Sequence, residues 1–85
     1  MVYRSYGGMA MEIGLDKLRL GQQGIVERIN AEPLLALRLR SFGLIPGTQV
    51  RCRYRSPGGS VTALEFCGTV VALRTRDIQK IRVRC

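Results

Sequence analysis

Apolar and polar residues alternate with two different periods along this chain. The stretch Gly24-Ile25-Val26-Glu27-Arg28-Ile29-Asn30 follows the Gly21 and Gly24 breaks and is rich in β-branched residues, which predicts a strand over 24–30 with a turn at 21–24. Pro33 then suits the first turn of a helix with Glu32 beside its cap, and LLALRLRSF runs on to Gly43, a natural left-handed stop. At 100° per residue, Leu35, Leu39 and Phe42 share one stripe of that helix and Leu34 and Leu37 share another, about a third of the way round. A short helix wedged between sheet and loops would bury both stripes; a helix with a partner would expose Leu34 and Leu37. The pattern leaves both readings open.

Beyond the helix the period falls to two. Pro46-Gly47 fills the centre of a type II turn, and TQVRCRYR over 48–55 places Val50, Cys52 and Tyr54 on one face and Arg51, Arg53 and Arg55 on the other. Ser56-Pro57-Gly58-Gly59-Ser60 closes a hairpin onto a strand over 61–66, and Cys67-Gly68 turns into another over 69–74. One helical or 3₁₀ turn at 75–79 leads to a last strand over 80–84, with Ile81 and Val83 inward. Five short strands with one helix after the first predict a mainly β fold, a small barrel.

Composition narrows what such a fold does. The first ten residues are Gly-rich and aperiodic and read as a disordered arm, with residues 11–85 as a single domain. The 85 residues carry 14 Lys and Arg against 6 Asp and Glu, a net charge of +8, so an acidic partner is favoured. With no His, nucleophilic triads and imidazole metal sites are absent. The acids are scattered singly, and Cys52, Cys67 and Cys85 form neither a disulfide framework nor a zinc knuckle. Cys67 and Cys85 are candidate accessible thiols, but no metal ligand and no cofactor is assigned. No Walker-type glycine loop precedes a helix, and no apolar run spans a membrane or forms a secretory signal. A reducing cytoplasm is the expected setting.

From about Leu15 onward the chain resembles the FeoA family, small accessory proteins of bacterial ferrous-iron uptake. The resemblance rests on Leu15, Leu18, Gly21 and Gly24-Ile25-Val26, then Arg38-Leu39, Phe42-Gly43-Leu44 and Pro46-Gly47-Thr48-Gln49-Val50. It continues through Pro57-Gly58, Cys67-Gly68, Val71-Ala72-Leu73-Arg74 and Ile81-Arg82-Val83. It implies an SH3-like barrel, a non-enzymatic role and a partner, the FeoB-type membrane permease with its GTP-binding domain, which would bring the protein to the inner membrane only through that contact. The same module is similar to the C-terminal domain of diphtheria-toxin-repressor-type regulators, but no helix-turn-helix precedes it here. Two departures are the absence of an acid after the hairpin glycine and the basic strand 51–55.

Two candidate surfaces follow. Leu34, Leu37, Phe42, Leu44 and Ile45 would supply lasting apolar contact. Arg51, Arg53 and Arg55, joined by Arg82 and Arg84, would steer encounter with an acidic face, or form no more than a solvated basic strand. The rival function is a nucleic-acid-binding barrel of the KOW or OB type, to which the same charge is natural. With Tyr54 inward it would lack a stacking platform. Self-association through an exposed barrel edge is a further partner class.

Overall fold

The computed structural model describes residues 11–85, so the N-terminal arm read over 1–10 lies outside the described residues. Six strands, β1 (Glu12–Gly14), β2 (Gln23–Ile29), β3 (Gln49–Arg55), β4 (Val61–Phe66), β5 (Thr69–Arg74) and β6 (Ile81–Arg84), form one sheet, with helix α1 (Pro33–Ser41) between β2 and β3. The strand order is β1-β6-β2-β3-β4-β5, and every pairing is antiparallel. The expected five strands are thus six among the described residues. Glu12-Ile13-Gly14 is too short to show a period, and its place is set by pairing Ile13 with Val83. No ladder joins β5 to β1 among the described residues, so the barrel-like sheet stays open.

Turn chemistry fixes the connections. Gly47, at φ 96°, takes the left-handed position of the Pro46-Gly47 turn, closed by Thr48 N–H donating to the Ile45 carbonyl at 2.9 Å. The first turn sits earlier than expected: Gln22 N–H donates to the Arg19 carbonyl, with Leu20 and Gly21 at its centre. The Cys67-Gly68 pair has positive φ at both residues, as the type I′ turn of a two-residue hairpin requires. A 3₁₀ turn over Thr75–Ile78 enters β6.

The core lies on the inner face of the curled sheet. Val26, Val50, Cys52, Leu64, Phe66, Ile81 and Val83 line it from the strands, and Leu15, Leu18, Leu39, Leu44 and Ile78 close it from turns and helix. At roughly 1.5–3 kcal/mol for each large side chain taken from water, this cluster is the main source of stability.

Two bulges break the expected alternation. In β3 the pairing runs Cys52 with Leu64 and then Tyr54 with Ala63, so Arg53 is the extra residue. The faces exchange beyond it. Tyr54, expected inward, is 52% exposed, and Arg55, expected outward, turns in. Its Nε donates to Thr62 Oγ1 at 3.1 Å and its Nη2 to Cys52 Sγ at 3.6 Å. Thr62, fully buried, also shares a hydrogen bond of 2.8 Å with Thr75 Oγ1. The second bulge, at Glu27 in β2, lets Arg28 lie outward opposite Arg82.

Candidate docking surface

Helix α1 is held firmly at both ends. The Glu32 carboxylate accepts from Leu34 N–H at 3.2 Å and Leu35 N–H at 3.1 Å, satisfying two otherwise unpaired donors and placing negative charge at the positive end of the helix. At the other end Leu44 N–H donates to the Leu39 carbonyl and Gly43 N–H to the Arg40 carbonyl, both at 2.9 Å, which is a Schellman stop. Gly43 has φ 101°, and a Cβ there would lie 2.8 Å from Cys67 Sγ. Glycine takes this backbone without strain, whereas any other residue would be strained there and would require Cys67 Sγ to shift.

Between these caps the two apolar stripes have different surroundings. Leu39 is 1% exposed and Leu35 packs partly against the core, whereas Leu34 is 69% and Leu37 60% exposed. The outward stripe is bare leucine on a rigid helix, flanked by the exposed cations Arg38 and Arg40. Phe42 and Ile45 are about half exposed. Leu44 does not belong with them. It is fully buried, because the residue after a Schellman glycine folds back on the third residue from the helix end, here Leu39. Leu44 is therefore a core residue and leaves the candidate surface.

The arginine row is divided rather than continuous. Arg51 pairs across the ladder with Glu65 and has no ion pair among the described residues. Arg53 Nη1 lies 2.6 Å from Glu65 Oε1, and Arg55 is tucked inward. Arg82 and Arg28 both engage Glu12, at 3.2 and 2.5 Å, and Arg84 engages Glu27 at 3.2 Å. Arg74 pairs with Asp77 at 3.2 Å. These pairs are largely exposed, and such pairs contribute only about 0–1 kcal/mol each. Their effect is on charge placement. Glu12, Glu27, Glu65 and Asp77 are held in pairs and Glu32 in the helix cap. Among the described residues that leaves Lys17, Arg19, Arg38, Arg40, Arg51, Arg55, Arg76 and Lys80 without a carboxylate partner, Arg55 donating instead to Thr62 and Cys52.

Sequence reasoning missed two members of the outer surface. Tyr54 lies on the outer face of β3, where its cross-strand neighbour Ala63 is paired in turn with Ala72, and Val70 is exposed on β5. No group of three or more His, Cys, Asp or Glu side chains able to hold a metal occurs among the described residues. No helix of the described residues is long and apolar enough to cross a membrane.

An open antiparallel sheet with one capped helix, a basic surface and an exposed leucine stripe places the described residues in the class of small SH3-like domains. The FeoA domain model matches residues 13–85, and the chain belongs to the FeoA family, which is associated with ferrous-iron transport. The solution structure of the FeoA protein from Chlorobium tepidum is similar, with a TM-score of 0.81 at 25% identity over 85% of this chain and 69% of that one. The zinc-complexed FeoA of Stenotrophomonas maltophilia, described as a prokaryotic SH3 domain protein, gives a TM-score of 0.69 at 28% identity over 84% and 88% of the two chains. A manganese-dependent transcriptional repressor shares the fold, with a TM-score of 0.75 at 24% identity, 86% of this chain matching 41% of that one. No curated protein matches by sequence.

Proposed function

We propose that this chain is a non-enzymatic accessory of ferrous-iron uptake that docks through helix α1 on the cytosolic part of an FeoB-type permease. Family membership supplies the transport context. The observation that carries the docking face is the pair Leu34 and Leu37, large apolar side chains left in water on a helix whose ends are fixed by Glu32 and Gly43. A stable domain with a core of its own has no need of them there, and desolvated apolar anchors usually carry interface energy. Arg38 and Arg40 beside them favour a partner groove with an acidic rim. Any GTP chemistry belongs to the partner, and any membrane contact is made through it.

The test is a titration of the purified chain against the cytosolic part of the permease, with and without nucleotide, at about 0.15 M salt, where attraction between exposed charges is already damped. Leu37→Glu should remain folded and weaken binding roughly thirtyfold or more, the effect of losing an anchor worth about 2 kcal/mol. Undiminished binding by the folded variant would remove α1 from the interface.

A second reading keeps one specific support. The outward Tyr54 lies on the face that carries Arg51 and Arg53, so the expected inward tyrosine no longer argues against a nucleic-acid ligand. A stacking platform still needs more than one aromatic, and Phe66 is buried. RNA or DNA binding that weakens steeply with salt, together with no binding to the permease, would establish that reading instead.

A further inference from the structure

The open end of the sheet at β5 has a face, a register and a set of unpaired backbone groups that fit a second copy of itself. We propose that two copies of this chain associate by antiparallel pairing of their β5 strands, centred on Ala72.

The hydrogen-bond phase of β5 follows from its hairpin. A two-residue turn at Cys67-Gly68 makes Phe66 and Thr69 a bonded pair, and alternate pairs follow, Leu64 with Val71 and Thr62 with Leu73. Thr75 N–H donating to the Ser60 carbonyl at 2.9 Å continues the same phase. The N–H and C=O groups of Val70, Ala72 and Arg74 therefore point away from β4. They take no backbone partner among the described residues. The strand has few of the usual protections of an edge: its register with β4 runs unbroken from Thr69 to Arg74, Thr69-Val70-Val71-Ala72-Leu73 holds no charge and no proline, and a groove separates it from α1. The bulges of this sheet lie in β2 and β3 instead.

Only pairings among Val70, Ala72 and Arg74 let both copies use their outward groups, and two-fold symmetry about Ala72 uses them all. Ala72 then meets Ala72 of the other copy, and Val70 meets its Arg74. On the outer face small meets small at the axis, and the Arg74 stem lies along valine. Asp77 already compensates Arg74, at 3.2 Å, and the two Arg74 side chains fall at opposite ends of the ladder, so like charges do not meet. On the inner face Val71 of each copy comes opposite Leu73 of the other. A groove of about 270 Å³ opens there, between β5 and Leu35, Arg38 and Phe42 of α1, and these side chains would enter it. Pairing of six-residue strands is a small interface, so the association is weak and concentration-dependent.

Sedimentation equilibrium of the full chain from about 10 μM to about 1 mM covers the range of so small an interface. Wild type should move from monomer to dimer. Ala72→Arg and Ala72→Glu place like charges opposite each other on an exposed outer-face position, so each alone should stay monomeric with unchanged circular dichroism. Mixing the two in equal amounts should restore association. In wild type, the Val70 and Ala72 amides should exchange more slowly as concentration rises, a readout that needs no variant. A wild-type chain that is monomeric throughout overturns the proposal, as do variants that dimerise like wild type or amide protection confined to α1.

Discussion

The two leucine stripes of α1 are made of the same residue type within three turns of helix, yet one is core and the other is surface. Leu39 is lost from water against Leu44 and the sheet, while Leu34 and Leu37 stay in it. Hydrophobicity alone does not separate these fates. Packing does: the helix sits with Leu39 against Leu44 and the strand side chains of the core, and that roll leaves the other stripe in water. A leucine in the first stripe is a stability determinant; a leucine in the second has a function to explain.

Substitutions can break that distinction at graded cost. Leu39→Ala should lose about 2–5 kcal/mol in chemical denaturation, since Leu39 is 1% exposed and packs in the core. Gly43→Ala should cost about 1–2 kcal/mol from the left-handed backbone, with a further penalty if Cys67 cannot move from the new methyl group; Gly43→Ala with Cys67→Ala should recover that second part. Glu32→Ala removes the acceptor for two helix N–H groups and should cost about 1 kcal/mol. Leu37→Glu should change stability by no more than about 0.5 kcal/mol, the range for exposed positions. A large loss there would mean that the outward stripe is core after all.

Much of this architecture was legible because it is written in residues with few alternatives. Pro33 and Gly43 bracket the helix, and Gly47 and Cys67-Gly68 mark turns where backbone geometry leaves little choice. The resemblance to the FeoA family rested on the order of these marks, and the match over residues 13–85 bears it out; the SH3-like fold that the resemblance implied agrees with the similar FeoA described as an SH3 domain protein. The β3 bulge was not legible: one extra residue at Arg53 leaves no trace in composition, yet it sent Tyr54 out and Arg55 in. The short β1 was missed because only one of its side chains, Ile13, pairs inward, and only the tertiary partner β6 defines it as a strand. Leu44 could have been placed. A left-handed glycine ending a helix implies that the apolar residue after it packs back on the helix, and Leu44 does. The candidate docking site was thus half readable: its helix and its leucines were visible, but which stripe faced out depended on the roll set by packing.

The central claim is that the exposed stripe of α1 is the surface that meets the permease. Its most direct test is to label the chain isotopically, add the cytosolic part of the permease, and map the perturbed resonances. The account predicts changes concentrated at Leu34, Leu37 and Arg38, with the β3 outer face at Tyr54 unaffected. Perturbation centred on Tyr54 and Arg51, with α1 silent, would contradict it.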